Sequence, residues 1–432
     1  MVHVGLDLSR TRLDVHVMDE SGAPLAVTTA LPEAGGLAAL VSRIGAEFGG
    51  PVYAAIESMN GARFVHDQLE LAGWQVEIAD AQKVKGLAPL ACKTDKIDSW
   101  VLAELSRRDL VPAIWLPTPT VRAERERARW RLHLVRHRTA LKNRIHATLL
   151  AFGHPCPVSD LFGKTGRHWL SRQQLPVDER ATVSALLRQL DFHAGELAIV
   201  DKELAREALA DPMVARLMTI PGVDAIAGIS IVAAVGDFTR FDDPNKLVAY
   251  VGLNPRVRQS GNSAPVHGRI SKAGRAHVRG VLVEAAWSAS RAPGPLRAFY
   301  QRVKARRGFQ KAVVATARKM TVLAWHLVTK DQDYAFARPS LVTHKRRKLE
   351  LAAGAPSRRG NYGLPGAAYN DKQRRNEEKL AVEQAEHAYQ VLVAHWQPKR
   401  PRPPVHEQSG SKKPSRVGAD ASKGTRLSSR EA

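Results

Sequence analysis

The sequence predicts an α/β layer domain at the N-terminus followed by a mainly helical remainder. Three observations predict this arrangement. Short β-rich runs alternate with helix-like runs over roughly the first hundred residues, long stretches without Gly or Pro follow from Val121, and the composition turns basic and Pro/Gly/Ser-rich from about Ser340. With 432 residues, the chain is long enough for two or three domains that each have their own core.

The N-terminal part begins with three β-rich runs. Residues 2–8 and 12–18 are separated by Ser-Arg-Thr, and PLAVTTAL supplies a third strand after a turn. A helix (EAGGLAALVSRIGAEFG), a strand (PVYAAIES), a second helix (RFVHDQLELAG) and a fifth strand (WQVEIAD) follow in that order. Strands that alternate with helices in this way form an α/β layer structure, in which ligands are expected near the strand ends.

Four carboxylates lie at the ends of these elements. Asp7 is near the end of VHVGLDL, Glu57 is near the end of VYAAIES, and Asp95 and Asp98 lie in KTDKIDSW. Thr94 is expected to cap a helix that begins at Asp95, and the three-residue spacing then puts both aspartates on one helix face. The helix dipole favours acids there by a few tenths to about 1 kcal/mol, and a metal would favour them more.

Carboxylates from separate elements are the ligands that Mg²⁺, or Mn²⁺ in its place, prefers. Two such ions about 3.5 to 4 Å apart can activate an attacking oxygen and stabilise the leaving one in phosphodiester cleavage. Taken singly, each acid is more simply a solvated strand-end or helix-start residue. Taken together, they favour a metal site, and this order of strands and acids resembles the ribonuclease H-like, RuvC-like nuclease fold.

The charge of the chain predicts a polyanionic partner. The formal net charge is +23 and the pI is about 10.3, which favours nucleic acid. An anionic membrane surface is the alternative, but no stretch shows the aromatic, basic amphipathic pattern of an anchor, and the apolar run 225–236 is too short to span a bilayer. The N-terminus lacks a secretion-signal pattern, so a cytoplasmic location is expected. Two cysteines, Cys92 and Cys156, are too few for a disulfide framework.

The middle of the chain predicts two long helices. One begins near Val121 and contains regularly spaced apolar and basic residues, and the other covers about Glu179 to Leu209. The Pro/Gly-bearing segment 152–166 joins them, which predicts an antiparallel helical hairpin or a coiled-coil arm. This part is either a dimerisation and nucleic-acid-docking arm or a bundle whose arginines are simply solvated.

The segment IPGVDAIAGISIVAAVGDFTRF resembles a helix-hairpin-helix, which presents backbone amides to a DNA phosphate. The usual hairpin carries a second glycine two residues after the first, whereas Asp224 stands in that place here. A carboxylate weakens a phosphate contact at this turn, so a purely structural helical pair is an equal alternative.

Ser260 lies in a loop marked by Gly261, Asn262, Ser263 and Pro265. Six cationic residues flank it, and they are the predicted nucleic-acid contacts: Arg256, Arg258, Arg269, Lys272, Arg275 and Arg279. A hydroxyl among guanidinium groups and a helix N-terminus has the nucleophile and the positive groups that phosphoryl transfer requires. His267 and His277 are the candidate general bases, although each histidine, like Ser260 taken alone, is more simply an ordinary surface residue.

Taken in order, these motifs resemble one family. Over about residues 2–335 the chain is similar to the DEDD-type transposases of insertion-sequence family one-ten. The motifs that carry the similarity are GLD, IES, KTDKIDSWVLAEL, RTALKNRIHATLLAFG, IPGV, GDFTRF, LVAYVGLNPR, QSG and GRISKAGRAHVR. The resemblance implies a RuvC-like metal site at Asp7, Glu57, Asp95 and Asp98, and a covalent serine nucleophile at Ser260. It further implies element-end and target DNA as partners, homodimers that pair into homotetramers, acids and serine supplied by different protomers, and, in some members, a structured guide RNA.

The predicted organisation has four parts: 1–112, a RuvC-like catalytic domain; 113–211, a helical coiled-coil arm; 212–338, a transposase domain with the serine; and 339–432, a basic and largely disordered tail with one helix in NEEKLAVEQAEHAYQVLVAHW. Ser99, Trp100 and Gln259 differ from residues common in the family. The predicted activity is excision and insertion of an element through a phosphoserine-type intermediate. A metal nuclease of the Holliday-junction resolvase type and an inactive nucleic-acid-binding protein are the alternatives.

Overall fold

The computed structural model describes residues 1–87, 94–261, 263–356 and 371–395. The chain divides into two compact units, Met1–Glu126 and Arg127–Ala432. An α/β sheet occupies the first unit and the second is mostly helical, so the predicted mixture of fold classes is confirmed. No helix within the described ranges offers an apolar stretch long enough to cross a bilayer.

The N-terminal unit is built on a five-stranded sheet in the order β3-β2-β1-β4-β5. The elements of this unit up to residue 107 are β1 Val2–Leu8, β2 Leu13–Asp19, β3 Pro24–Ala30, α1 Ala34–Phe48, β4 Val52–Glu57, α2 Ala62–Leu71, β5 Gln75–Ala79, α3 Ala81–Leu87 and α4 Asp95–Arg107. The first three strands form an antiparallel meander, whereas β1, β4 and β5 run parallel. All five predicted strands are present, and α4 begins at the residue predicted.

The sheet is buried on both faces by different helices. Val4 and Leu6 point toward a core shared with α1 and α2, because alternate strand residues face the same side. The opposite face holds Ala55 and packs against α4 through Val101 and Leu102. Burial of these side chains on each side explains why the strands are rich in apolar residues without a strict alternation.

Gly5 allows α4 to lie directly against β1. A Cβ atom at this position would stand 1.7 Å from the Ser99 carbonyl oxygen and 2.5 Å from the Ala103 amide nitrogen. No other residue type leaves room for such a backbone approach. The glycine of the GLD motif therefore determines how close α4 comes to the strand that carries Asp7.

The remaining helices and strands are α5 Pro119–Ala151, α6 Lys164–Ser171, α7 Val177–Ala210, α8 Pro212–Leu217, α9 Ala225–Val235, α10 Pro244–Val251, β6 Pro255–Arg258, β7 Val266–Ile270, α11 Ala276–Ala289, α12 Pro295–Arg307, α13 Phe309–Thr329, α14 Pro339–Ala352 and α15 Lys372–His395. The two predicted long helices correspond to α5 and α7. Their apolar residues share a small core with α6, including Ile145, Leu149, Leu170 and Leu190. A coiled-coil arm as such remains a prediction.

The largest core lies in the C-terminal part of the second unit. Helix α9 is buried almost all round, and it packs with α11 and α13 through residues such as Ile229, Leu282 and Met320. A short antiparallel hairpin of β6 and β7 interrupts the helices. This hairpin was not predicted, because its strands are short and largely exposed.

The prediction of a disordered tail is wrong for residues 339–352, which form α14. The one helix predicted within the tail is present as α15, residues 372–395. Glu386 of α15 is buried, and its carboxylate accepts hydrogen bonds from the Gly294 amide at 3.0 Å and the Arg297 guanidinium at 2.6 Å. Packed contacts of this kind hold these helices on the unit despite their charged composition. The other tail residues, 357–370 and 396–432, lie outside the described residues.

Candidate active site

Two of the predicted acids meet at the ends of neighbouring parallel strands. Leu6 of β1 is in register with Ile56 of β4, so Asp7 and Glu57 follow at adjacent positions. Asp7 lies on the same face as Gly5, and Glu57 on the same face as Ala55, because side chains two apart share a face. That face is the one covered by α4. Both carboxylates are half-buried there.

The other two predicted acids come from the first turn of α4. The Thr94 hydroxyl accepts a hydrogen bond from the Ile97 amide at 3.4 Å, as predicted for the cap of this helix. Asp95 and Asp98 follow the cap, where the positive end of the helix dipole favours negative charge. Because Gly5 holds α4 against β1, the helix brings these acids toward Asp7.

Asp7 is affected by the charge of every other predicted acid. Burial, followed by the negative charges of Asp98, Asp95, Glu57 and Asp14 in that order, raises the pKa of Asp7 to about 6. A carboxyl group among like charges resists ionisation unless a cation is close. The structure thus places the four predicted acids in one electrostatic group.

Asp14 and Arg12 also belong to this group, although the sequence prediction omitted them. Asp14 stands opposite Asp7 in the β1–β2 register and is buried. Arg12 Nε donates to Asp14 Oδ2 at 2.9 Å, and Arg12 Nη2 donates to Asp95 Oδ2 at 3.1 Å. The tight turn between the strands was the available clue, because it pairs residues equally distant from its centre.

The donor set fits a hard divalent cation, because it consists of carboxylate oxygens from three elements. The raised pKa of Asp7 is consistent with this, since burial and the neighbouring carboxylates both disfavour its ionised form, which a bound cation would favour. Within the described ranges, however, no three Asp, Glu, His or Cys side chains stand together at metal-ligand spacing. Asp95 is instead engaged by Arg12. Closing the acids around a cation requires side-chain rearrangement, beginning with this ion pair.

Ser260 lies in the exposed loop that joins β6 to β7. Its carbonyl oxygen accepts hydrogen bonds from the amide of Ser263 at 3.3 Å and from the Ser263 hydroxyl at 2.5 Å. These bonds form a local turn that presents the Ser260 side chain to solvent. Asn262 of the predicted loop lies outside the described residues.

The six predicted cationic contacts divide into two groups. Four of them are exposed on or beside the hairpin: Arg256, Arg258, Arg269 and Lys272. The other two have structural partners. Arg275 Nε donates to Tyr250 Oη at 2.8 Å, and Arg279 Nη1 donates to the carbonyl oxygens of Val251 and Lys272 at 3.0 and 3.2 Å. The second pair therefore ties α11 to the end of α10.

The two candidate bases have different environments. His267 is exposed on β7, in register with Val257 of β6. His277 is half-buried at the start of α11, where burial and then the charges of Arg136 and Arg129 lower its pKa. No hydrogen bond joins either imidazole to Ser260 in the part of the chain described. The lowered pKa of His277 favours the neutral imidazole, which is the form that a general base needs.

The Pro-Gly turn is built as a packing element. Gly222 has a φ of 87°, and a Cβ there would lie 2.1 Å from the Ala285 carbonyl oxygen of α11. The Asp224 carboxylate accepts a hydrogen bond from the Ala227 amide at 2.8 Å, so it caps α9. The Lys345 ammonium donates to three carbonyl oxygens before and within the turn at 2.7 to 3.2 Å. These contacts favour the structural interpretation of the helical pair.

Comparison with known proteins identifies the class. A model described as transposase, of the DEDD type found in IS110, matches residues 4–154, and a model described as transposase IS116/IS110/IS902 family matches residues 214–301. The first match contains all four predicted acids and the second contains Ser260. The chain belongs to this family of insertion-sequence transposases.

Three relatives illustrate the similarity. The y4qE protein of Sinorhizobium fredii is 31% identical over 45% of this chain and 48% of the relative. The transposase for insertion sequence element IS1328 of Yersinia enterocolitica is 29% identical over 55% of this chain and 70% of the relative. The transposase for insertion sequence element IS1111A of Coxiella burnetii is 26% identical over 65% and 78%. The match thus spans about half the length of the y4qE protein and more of the other two.

Proposed function

We propose that this chain is a DNA transposase-recombinase that cuts and rejoins strands with metal-bound carboxylates and a serine nucleophile. One observation carries the proposal: two parallel strand ends and the first turn of α4 bring Asp7, Glu57, Asp95 and Asp98 to one face of the sheet. The strand order with its antiparallel meander supports a ribonuclease H-like, RuvC-like classification of this unit.

The acids would hold Mg²⁺ or Mn²⁺ through their oxygens, and the ion would polarise a phosphodiester and stabilise the leaving oxygen. Asp7 and Glu57 would be fixed by the sheet, whereas Asp95 would have to exchange its partner Arg12 for the cation. When Arg12 releases Asp95, the Arg12 guanidinium stays bonded to Asp14, so the buried Asp14 carboxylate keeps a positive partner. Arg12 is a positioning residue in this proposal.

Ser260 would attack a backbone phosphorus with its Oγ. The Oγ–P bond forms as one ester P–O bond of the strand breaks, the hydroxyl proton goes to a base such as His267 or His277, and the leaving strand oxygen takes up a proton. The exposed Arg256, Arg258 and Arg269 would hold the phosphates on either side. Reversal of the same step at a second strand end rejoins DNA.

The partners in this proposal are the ends of the element and its target DNA. A structured guide RNA, and homodimers that pair into homotetramers, are part of it through the family resemblance. The predicted division into 1–112, 113–211 and 212–338 is retained as a proposal, with α14 and α15 added to the last part.

A trapping experiment tests the chemistry. Full-length protein is incubated with an element-end duplex and Mg²⁺, and covalent protein–DNA adducts are separated under denaturing conditions. We expect an adduct with the natural sequence and with Ser271→Ala, which changes a serine just after β7, but none with Ser260→Ala. Asp7→Asn and Glu57→Gln should also abolish it. Strand cleavage that persists in Ser260→Ala would instead indicate a nuclease of the junction-resolvase type.

A further inference from the structure

A pocket of about 460 Å³ lies between α5, α9 and α11 in the second unit. Its volume is in the range of sites that hold small organic ligands. The site assigned to transposition does not require this pocket, apart from His277, which lines one side of it. Its walls differ in chemistry from one to the next, which restricts the ligand that they can accept.

One wall carries the cationic groups. Arg136 and Arg131 of α5 line it beside the imidazole of His277, which can donate a hydrogen bond, and the Asp224 carboxylate that caps α9 lines the pocket as well. Arg131 Nε forms a salt bridge with Asp201 Oδ1 at 2.5 Å. No acidic side chain in the described part of the chain pairs with Arg136. Helix α11 begins beside them at Ala276, and no side chain caps its first amides. These groups together suit a phosphate.

A second wall is apolar and a third is acidic. Leu132, Ile226 and Val281 supply a half-buried hydrocarbon surface. Glu284 lies at the exposed rim, where its carboxylate can accept hydrogen bonds from amino groups. A ligand that matches all three walls carries a phosphate, a flat apolar body and hydrogen-bond donors. A nucleotide has all three.

We infer that this pocket binds a single nucleotide, with its phosphate at Arg136 and His277, its base on the apolar wall and its exocyclic amino group toward Glu284. The inference rests on the proposed function, because the nucleotide would be one that is extruded from bound nucleic acid. Extrusion costs least at unpaired positions, so the pocket favours a single-stranded or mismatched site. Bases with an amino group, namely adenine, cytosine and guanine, are preferred over uracil or thymine.

Free mononucleotides test the pocket without any strand chemistry. Binding of AMP, CMP, GMP and UMP to the full-length protein is measured by titration calorimetry, alongside ribose 5-phosphate and inorganic phosphate. At least one amino-bearing nucleotide should bind about tenfold more tightly than ribose 5-phosphate or phosphate. Equal affinity for all of these probes would reduce the site to an anion-binding patch and overturn the inference.

Two matched pairs of variants locate the binding. Gly280 lines the pocket, and a Cβ there meets no atom within 4 Å, so Gly280→Leu fills the space without moving the backbone. Gly195 of α7 is equally open and does not line the pocket, so Gly195→Leu is its control. Arg136→Ala removes the phosphate contact, and Arg144→Ala removes an exposed arginine elsewhere on α5.

We expect Gly280→Leu and Arg136→Ala each to weaken nucleotide binding by about tenfold or more, and both controls to leave it unchanged. Unchanged binding in Gly280→Leu and Arg136→Ala would overturn the inference even if the natural protein binds nucleotides. Trapping of the Ser260 adduct separates this result from the proposed function. An adduct without nucleotide binding refutes only the pocket, and nucleotide binding without an adduct refutes only the serine chemistry.

Discussion

Replacing Asp7 by asparagine should stabilise the metal-free protein at neutral pH. Burial and then the neighbouring carboxylates raise the pKa of Asp7 from 3.8 to about 6, so ionising it in the folded state is unfavourable. A shift of about two units corresponds to about 3 kcal/mol for a fully buried group. Because Asp7 is only half-buried, solvent screening reduces this to roughly 1.5 kcal/mol. For the N-terminal unit this corresponds to about 4 to 6 °C in melting temperature.

The sign of this effect depends on pH. The stability contributed by the protonated Asp7 is fully present below pH 3.8 and is lost as the pH rises through about 6. Asp7→Asn should therefore raise the melting temperature at pH 7.5 and not at pH 4. Added Mg²⁺ should raise the melting temperature of the natural protein at pH 7.5, because a cation bound only by the folded state stabilises it. It should have little effect on Asp7→Asn.

The assay is differential scanning calorimetry at pH 4 and pH 7.5, with a chelator or with Mg²⁺. Asp19 provides the control, because hydrogen bonds from Ser21 and Ala23 lower its pKa. Asp19→Asn should change stability in the opposite direction and leave the response to Mg²⁺ intact. Asp7→Asn that destabilises the protein at pH 7.5 and still responds to Mg²⁺ would refute the reasoning.

Three further predictions concern packing, the Pro-Gly turn and the hairpin. Gly5→Ala should lower the free energy of unfolding in urea by about 3 kcal/mol, because the added Cβ meets the Ser99 carbonyl. Gly45→Ala, on an open face of α1, should raise it by about 0.5 to 1 kcal/mol, and equal effects of the two substitutions would contradict the close approach of α4 to β1. Burial lowers the pKa of Lys345 to about 8, so the free energy of unfolding of the natural protein should rise between pH 8 and 10.5. Lys345→Met should remove this rise and lower the free energy of unfolding by about 2 kcal/mol or more, as measured by chemical unfolding at each pH. Arg258→Ala should reduce the number of ions released on DNA binding, measured from the salt dependence of fluorescence anisotropy, by about one, and should leave the melting temperature unchanged. Arg275→Ala should instead lower the melting temperature, and the reverse pattern would contradict the division of the cationic residues.

The elements of the N-terminal unit could be predicted because each depends on local pattern. Apolar runs bounded by turns predicted β1, β2, β4 and β5, and Thr94 followed by acids predicted the start of α4. The position of Asp7 beside Glu57 also followed from two strands ending in acids. These features are local in sequence, so their physical causes are visible without coordinates.

Features that depend on register or on distant partners could not be predicted in the same way. Asp14 joins the acidic group through its pairing with Asp7, and Arg12 joins through contacts to Asp14 and to Asp95. The sequence grouped Arg275 and Arg279 with the predicted nucleic-acid contacts, but it could not show that the end of α10 takes both guanidinium groups.

The same limit explains the tail. Helix α14 has few apolar residues, so its composition indicated disorder. Its stability comes from specific contacts: Ser340 Oγ donates to Glu378 of α15 at 2.5 Å, and Lys345 fills the carbonyl cluster at the turn. Partners so distant in sequence leave no periodic pattern.

Binding of Mn²⁺ measured by electron paramagnetic resonance tests the central claim most directly, because it reports the metal and not the reaction. The account predicts saturable binding to the full-length protein, lost in the Asp7→Asn and Glu57→Gln variants and retained in Asp19→Asn. Binding that is unchanged by Asp7→Asn and Glu57→Gln, or absent from the natural protein, would contradict it.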